Sequence, residues 1–498
     1  MPYLIKILSL GLLISNCLCT VSRAEDLIQV PAAIQISSKV SDGKLSILEI
    51  INTARRNNIK VVILTDRDFM RWEYGLWPLR RIIKKTVEAN SIATYGIKRY
   101  LKEIEDLQKK NPDLIIIAAV ESAPFYYWSG NPLQDNFTIH DWHKHILVIG
   151  LEKASDYQNL PSVSNSYGLL LPFTFKDIYH FWPILTLLLG ILYLRKRRFD
   201  YRDFRGQQWG PYARSWQISG IILMFFSLLF LFNGFPFRDF KYDQYHGEQG
   251  IRPYQNFINY VNEKGGLTFW AHPEAEYITT MGRVNTETRE HTNSLLEAHD
   301  YTGFAVFYEG YKKVAPAGGI WDEMLRAYCQ GRIKAPVWAI GGLSFDQDGD
   351  LGTYMKDLRT VLLIPDLTKQ SVLKAIKEGK MYVVRGAGPG FILDKFMIKD
   401  SLSDNQGTIS DEVILKGKPI IKISGSLLNG QVEPGQTVKV KLIRNGKVIQ
   451  VFEVESPFSI DYPDDYFSAG ETIYYRLEIQ AASKTIVTNP VFVRFIVI

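Results

Sequence analysis

One stretch, residues 34–68, constrains the fold of this chain most, because it alternates a strand, a loop, a helix and a second strand. Ser46 stands where a helix cap is expected, and residues 47–54 place apolar side chains at helical spacing. Residues 61–64 form a continuous apolar run, which is typical of a strand buried on both faces. The stretch therefore predicts a βα unit, and sites in α/β folds lie at the carboxyl ends of such strands.

Two polar segments follow the strands of this unit. Residues 41–46 read Ser-Asp-Gly-Lys-Leu-Ser, and residues 65–68 read Thr-Asp-Arg-Asp. These segments resemble the opening motifs of the PHP (polymerase and histidinol phosphatase) superfamily. The resemblance covers about residues 40–152 and 250–395. It implies an α/β fold, a distorted β/α barrel, in a class of proteins that hydrolyse phosphoesters with up to three clustered metal ions.

The resemblance also maps metal-ligand positions onto this chain. Five positions keep a side chain able to bind metal, and these are Asp42, Glu121, His145, His272 and Asp346. Four positions lack the histidine of the pattern, and they hold Gln35, Ser37, Arg67 and Asp348. Mapped by motif, Glu121, His145 and His272 make one complete metal position, whereas the other two positions have each lost two or three ligands.

One carboxylate and two imidazoles with an open position suit one divalent transition metal, zinc, manganese or iron. Such an ion would supply hydrolytic chemistry by acidifying water. Each assignment has a structural alternative. A histidine after a strand is often structural, Asp42 can cap its loop, and Asp346 can form a turn or a calcium-like oxygen site together with Asp348.

Arg67 replaces a metal-binding histidine of the pattern with a fixed positive charge. Its guanidinium can form an ion pair, with Asp66, Asp68 or Glu121 as partner. It can also hold a phosphate through two parallel hydrogen bonds. We therefore list Arg67 as a candidate ligand-binding residue.

The first 24 residues predict a secretory signal peptide. Lys6 precedes a short apolar run, and small residues stand at Ser22 and Ala24, which favours cleavage after Ala24. An uncleaved membrane anchor is the alternative. If residues 1–24 are removed, Cys329 is the single cysteine left, so the fold does not depend on an internal disulfide.

Two apolar runs, residues 178–194 and 216–235, are each long enough to span a bilayer. For the first run, a buried core helix is the alternative. The loop between them, residues 195–215, holds seven Lys or Arg and two Asp, so it carries a net charge of +5. The positive-inside rule places this loop in the cytoplasm and both flanking halves outside. We therefore predict a multi-pass protein of the cytoplasmic (inner) membrane, with the lipid bilayer as a partner and both large domains extracytoplasmic.

The rest of the chain divides around this transmembrane hairpin. Residues 25–152 and 250–395 are predicted to be the two halves of the PHP-like domain, with a basic amphipathic helix at 79–87. Residues 396–498 alternate short strands with turns such as Asn445-Gly446, which predicts an all-β sandwich. The whole chain has a net charge of +6, and without the basic loop the remainder is near neutral. The charge distribution therefore does not indicate a nucleic-acid-binding surface.

Three functions fit these patterns. The loss of four histidines favours a pseudoenzyme, a degraded site that binds a phosphate-bearing small molecule or another anion with little or no turnover. The alternative is a mononuclear metal-dependent phosphoesterase. A third hypothesis is a structural protein that binds a protein partner through the C-terminal sandwich.

Overall fold

The computed structural model describes residues 27–196, 214–346, 349–386, 391–427, 437–481 and 483–496, with short pieces between 201 and 209. The predicted signal peptide, most of the basic loop at 195–215 and Asp348 lie outside the described residues. The sequence predictions for these three segments therefore stay predictions.

Seven strands close into a barrel around a buried apolar core. They are β1 (Ile28–Ile36), β2 (Val61–Arg67), β3 (Ile115–Ser122), β4 (Ile146–Ile149), β5 (Leu267–Trp270), β6 (Gly303–Phe307) and β7 (Trp338–Phe345). Each strand pairs with the next, and β7 pairs with β1 to complete the ring. Strand β4 runs antiparallel to both of its neighbours, while the other pairs are parallel. The predicted α/β barrel is therefore present, in a distorted seven-stranded form.

Strand β2 and the helix before it form as the sequence predicts. Helix α1 (Ile47–Arg56) begins with a reciprocal cap, because the Ser46 hydroxyl accepts from the Glu49 N–H and the Glu49 carboxylate accepts from the Ser46 N–H. Its apolar face is buried, as are residues 61–64 of β2. The remaining barrel-domain helices are Ile92–Tyr95, Ile97–Lys110, Ala154–Gln158, Arg252–Glu263, Asn293–Glu297, Ile320–Cys329, Leu351–Asp357 and Lys369–Glu378.

The prediction of an amphipathic helix at residues 79–87 is wrong. The chain forms a β-hairpin here, with strands Arg71–Gly75 and Lys84–Glu88. Tertiary contacts override the local pattern, because Tyr74 packs edge-on against Trp128, and the Trp128 indole donates to the Glu73 carbonyl at 2.9 Å. A neighbouring small sheet joins Tyr127–Ser129, Thr138–His140, Val284–Thr288 and Tyr277–Met281.

Two apolar helices interrupt the barrel between β4 and β5. A 3₁₀ turn, Phe175–Phe181, leads into the helix Trp182–Arg195, and the second helix is Arg214–Gly234. They pack closely where two glycines meet, since a Cβ on Gly190 would lie 3.0 Å from the Gly220 carbonyl oxygen. By length and composition alone, both Phe175–Arg195 and Arg214–Gly234 could cross a membrane.

The described residues after the barrel form strands that extend its sheet and add a second one. The first part of β1 pairs antiparallel with Leu358–Ile364. The sheet then continues through Met381–Arg385, Lys484–Thr488, Thr472–Ala481, Thr437–Arg444 and Lys447–Glu455. The second sheet joins Gln406–Thr408, Phe391–Asp400, Pro419–Leu427 and Phe458–Pro463, and Glu412–Leu415 pairs with Val491–Phe495.

A buried ion pair ties the C-terminal strands to the barrel. Arg476 donates to both carboxylate oxygens of Asp322 at 2.7 Å, and both side chains are fully buried. Asp322 lies on the barrel helix Ile320–Cys329. The predicted boundary between residues 395 and 396 falls inside the strand Phe391–Asp400 of the second sheet.

Candidate metal centre

The candidate site lies at one end of the barrel. Arg67 is the last residue of β2, Glu121 is near the end of β3, and His272 follows β5 by two residues. His145 directly precedes β4, and because β4 is antiparallel its start meets the carboxyl ends of the other strands. Barrel topology thus brings together side chains that are far apart in sequence.

Three of the predicted ligands form a compact cluster. One ligand atom each from Glu121, His145 and His272 lies within 4.8 Å of the others. The Oε1 atom of Glu121 is 2.8 Å from Nδ1 of His145 and 3.3 Å from Nε2 of His272. The carboxylate and the His145 ring are buried. The structure therefore places in contact the three residues that the sequence grouped as one complete metal position.

His145 faces an acceptor on each side of its ring. Its Nε2 lies 3.1 Å from the Trp142 carbonyl oxygen, and its Nδ1 lies 2.8 Å from Oε1 of Glu121. Burial and the nearby Arg67 charge lower the pKa of His145 to about 4, so the ring is neutral at pH 7. A neutral ring donates from one nitrogen only, so His145 donates to one of these two acceptors and keeps a lone pair on its other nitrogen.

His272 is held by a carboxylate on its far side. Its Nδ1 lies 2.9 Å from Oε2 of Glu309, which leaves Nε2 directed at Glu121. A carboxylate–histidine pair of this kind orients an imidazole for a metal ion. Burial alone would lower the pKa of His272, but its hydrogen bonds to Glu121 and Glu309 raise it to about 9. In the absence of metal, His272 therefore holds a proton at neutral pH.

Arg67 supplies a cation beside Glu121 and His145. Its Nη1 donates to Oε1 of Glu121 at 2.7 Å and lies 2.9 Å from Nδ1 and 3.3 Å from Nε2 of His145, and its Nε donates to Asp42 at 3.0 Å. Burial alone would raise the pKa values of Asp42 and Glu121, but the guanidinium holds both below their usual range. Arg67 thus forms an ion pair, and Glu121 is its partner among the three acids named from the sequence.

The other two acids near Arg67 have partners of their own. Asp66 accepts from the Ser38 N–H and from the hydroxyls of Ser38 and Ser41, and so fixes the loop that carries Asp42. Asp68 accepts from the Ser122 hydroxyl at 2.6 Å, and burial raises the pKa of Asp68 to about 7. Neither acid is an Arg67 partner, so both support the loops around the cluster.

The remaining predicted positions lie around the cluster rather than in it. Asp42 contacts Arg67, and Asp346 is exposed directly after β7, where its carbonyl accepts from Lys44. Gln35 takes up a position against the cluster, with its Nε2 3.3 Å from Glu121 and 3.0 Å from His272. The metal roles of Asp42 and Asp346 stay predictions.

Gln35 reaches the cluster through an irregularity in β1. Its φ of 67° lies in the left-handed region, and the pairing register shifts between Ile34 and Ile36. The neighbouring strand β7 needs a glycine at this point, because a Cβ on Gly342 would lie 2.1 Å from Oε1 of Gln35. The bulge turns an amide toward Glu121 where the family pattern places a histidine.

The donor set fits a divalent ion, with one competing group. Three carboxylates (Asp42, Glu121 and Glu309) and one guanidinium (Arg67) surround the cluster, so with neutral imidazoles these side chains carry a net charge of minus two. That charge suits a divalent cation better than an anion. Arg67 already contacts Glu121 and His145, so an ion held by these two residues requires the guanidinium to withdraw.

Two contributors escaped the sequence analysis. Glu309 orients His272, and its position directly after the strand-like run 303–308 was a signal that could have identified it. The Trp142 carbonyl orients His145, and no sequence pattern predicts a backbone acceptor of this kind.

Comparison with known proteins gives matches among solved structures alone. No protein-family model matches the chain, and no curated protein matches it. It is similar to PHP-like metal-dependent phosphoesterases. One is a two-domain protein of Bacteroides vulgatus containing a predicted PHP-like metal-dependent phosphoesterase, with 10% identity, a TM-score of 0.33, and 91% of each chain covered.

Two further structures match over less of the chain. A protein of Bifidobacterium adolescentis, assigned by prediction as a metal-dependent phosphoesterase, has 10% identity and a TM-score of 0.25, and the match covers 63% of this chain and 87% of that one. An amidohydrolase of Chromobacterium violaceum, solved with bound sulfate and no metal, has 13% identity and a TM-score of 0.26, with 64% and 88% covered. At these scores the similarities carry no argument about the reaction, which has to rest on the site.

Proposed function

We propose that this protein is a membrane-anchored metal-dependent phosphoesterase that holds one zinc, manganese or iron ion between Glu121, His145 and His272. One observation carries the proposal. One ligand atom from each of these three residues converges in a buried cluster, and partners outside the cluster fix both imidazoles. A carboxylate flanked by two imidazoles, one of them oriented by a second carboxylate, is the arrangement of a metal site.

The chain's own residues prepare the cluster for catalysis. A divalent ion, when bound, would supply Lewis-acid chemistry for hydrolysis. Glu309 accepts the Nδ1 proton of His272 and so keeps Nε2 directed inward. Arg67, once released from Glu121, remains beside the cluster through Asp42 and can hold a phosphate by its planar fork. Asp42 then positions the guanidinium rather than the metal.

A second candidate function, anion binding with little or no turnover, is favoured by the contacts of Arg67. The guanidinium already contacts Glu121 and His145, so neither residue needs a metal as its partner. The sequence alone ranked this pseudoenzyme first. We rank it second, because the net negative charge of the cluster would repel an anion as long as no metal is bound.

The proposal includes the membrane. Two apolar helices, Phe175–Arg195 and Arg214–Gly234, support a transmembrane hairpin, and the basic loop between them supports a cytoplasmic connection. The barrel and the C-terminal strands would then be extracytoplasmic. We propose that residues 396–498 form a β-sandwich, and a protein partner bound there is a further possibility that nothing on the described surface favours.

Metal content tests the proposed enzyme. Elemental analysis of the full chain purified in detergent should find about one transition ion per chain, and His272→Ala should remove it. His140→Ala is the matched control, because His140 contacts Ser129 and Glu287 away from the cluster and should leave the ion in place. Hydrolysis of p-nitrophenyl phosphate should follow the metal content. A wild-type protein without metal that binds phosphate would support the second candidate, and three ions per chain would contradict both.

Reporter fusions test the membrane topology separately. Alkaline phosphatase, which is active outside the cytoplasm, should give signal when fused after Gly150 or after Ile498, and none at Gln207. Activity at Gln207 would reverse the proposed orientation.

A further inference from the structure

A short apolar loop projects from the barrel domain at the tip of the hairpin Arg71–Glu88. This tip loop, residues 76–83, exposes four large apolar side chains. They are Leu76, Trp77, Ile82 and Ile83, with exposed fractions of 49%, 78%, 39% and 49%. Clusters of exposed apolar side chains on a folded domain mark a surface that contacts something other than water.

The tip loop is fixed to the end of the second apolar helix. The Arg81 N–H donates to the Asn233 side chain at 3.0 Å, and the Arg81 guanidinium donates to the Gly234 carbonyl at 3.1 Å and to that of Phe235. In return the Asn233 amide donates to the Pro78 carbonyl at 3.2 Å. The loop and the helix end therefore move together as one unit.

Further exposed apolar side chains surround this junction. Phe175 and Trp182 stand on the first apolar helix, which is preceded by the exposed Phe173, and Phe235 follows the second helix. Like the tip loop, they stand where the two helices begin or end at the barrel domain. Aromatic side chains at such a position are typical of the membrane–water interface.

Basic side chains stand in the tip loop and directly after it. Arg80 stacks over the ring of Tyr245, and Lys84, the first residue of the next strand, pairs with Glu73, while Lys85 beside it is exposed. Cationic side chains next to apolar ones favour a surface with anionic headgroups over a purely apolar protein groove.

We propose that the tip loop inserts into the outer-leaflet interface of the bilayer beside the two helices. This inference rests on the transmembrane part of the proposed function. If Arg214–Gly234 spans the bilayer, its end at Gly234 marks the hydrocarbon boundary, and the contacts of Arg81 hold the loop at that depth. Trp77 and the two isoleucines enter the interface, and the basic side chains meet the headgroups.

The inserted loop limits the distance between the site and the membrane. The hairpin begins at Arg71, four residues after Arg67, and its first strand ends at Gly75. Five strand residues rise about 17 Å at most, which limits how far the strand can separate the mouth of the barrel from the lipid. The loop thus acts as a third contact that restrains the barrel from tilting on its two helices.

Site-specific labelling of the full chain in lipid nanodiscs tests the inference. Cys17, Cys19 and Cys329 are first replaced by serine, so that a single introduced cysteine carries a nitrobenzoxadiazole dye. The nanodiscs contain phosphatidylcholine and phosphatidylglycerol, with or without spin-labelled lipid as a quencher. Trp77→Cys reports on the tip loop, and Ile83→Cys repeats the measurement at a second position.

Two further positions serve as references. Leu192→Cys lies on the first apolar helix and should be quenched by spin-labelled lipid if the helices span the bilayer. Leu402 is exposed in the bend after the strand Phe391–Asp400, and a label on Leu402→Cys should not be quenched. We expect the labels at 77 and 83 to be quenched at least half as strongly as the label at 192, and Arg81→Ala to reduce that quenching.

The outcomes distinguish a failure of this inference from a failure of the proposed transmembrane hairpin. Labels at 77 and 83 that behave like the label at 402, while 192 is quenched, would overturn the inference and leave the transmembrane hairpin intact. A label at 192 that is itself unquenched would overturn the hairpin, and the inserted loop with it.

Discussion

Replacing Arg67 by methionine should destabilise the metal-free protein and make it depend on metal. Arg67 lies between Glu121 and Asp42, and the exposed fractions of the three side chains are 14%, 4% and 18%. Methionine keeps an unbranched, flexible side chain but removes the guanidinium and its charge. Glu121 is then left buried with no cation, although its imidazole contacts remain.

The expected loss follows from burial. Removing one partner of a buried ion pair costs about 3–5 kcal/mol, because the other charge remains uncompensated. The Asp42 carboxylate stays partly exposed to water and can reorient, so the lower end of this range, about 3 kcal/mol, applies here. A metal at about 100 times its dissociation constant stabilises a folded protein by about 2.7 kcal/mol. Metal should therefore nearly restore the variant, while the wild type gains less because the ion has to displace Arg67.

Chemical unfolding in detergent, with and without manganese or zinc, measures both effects. Arg55→Met is the matched control, since Arg55 pairs with Asp113 at 2.9 Å on the surface. Exposed pairs contribute about 0.2–1 kcal/mol, so this variant should unfold almost as the wild type does and should not respond to metal differently.

Two results would refute this reasoning. An Arg67→Met protein as stable as the wild type without metal would mean that the guanidinium does not neutralise Glu121. A variant that metal stabilises no more than the wild type would mean that Arg67 and the ion do not compete for the same atoms.

Four further outcomes are expected. Metal affinity, measured by calorimetric titration, should rise about tenfold per pH unit up to about pH 9, because the ion displaces the proton of His272. Glu309→Gln should weaken metal affinity about 10–100-fold in the same titration, by loosening His272. Gly43→Ala should lower the unfolding midpoint, because its Cβ would lie 2.2 Å from the Ser37 carbonyl oxygen. Asp322→Asn should cost about 3–5 kcal/mol in chemical unfolding, because it leaves Arg476 buried without its partner.

Without metal, the same proton on His272 contributes to folding stability. The pKa of His272 is raised from 6.5 to about 9, so its contribution is fully present below about pH 6.5 and is lost as the pH rises through 9. Metal-free protein should therefore lose stability over this window, as measured by urea unfolding at a series of pH values. His272→Asn should flatten the profile.

The sequence was most informative where local pattern and tertiary contacts agree. The cap at Ser46 and the buried strand that ends at Arg67 were both predictable, because capping and continuous apolar runs are local signals. The grouping of Glu121 with two histidines was accessible through the motif resemblance. The barrel then brings these residues together because all of them stand at one end of its strands.

Where the sequence failed, the deciding contacts come from distant segments. Residues 79–87 carry a helical pattern, yet Trp128 and Tyr245 hold the segment as a hairpin through Glu73 and Gly75. The partner of Arg67 could not be chosen from sequence either. Asp66 and Asp68 are its chain neighbours, and the hydrogen bonds that engage them elsewhere have no sequence signal. The orientation of His145 by a backbone carbonyl has no sequence signal at all.

The interrupted barrel has a consequence for how the protein is made. Strands β4 and β5 pair directly, with Ile149 opposite Leu267, although both apolar helices lie between them in the chain. If these helices cross the bilayer, the first four strands emerge from the translocation machinery before the last three have been threaded. The edge of β4 then stays unpaired until β5 has been translocated, so membrane insertion is also a step in the folding of the barrel. A chaperone that shields this unpaired strand would protect it from aggregation.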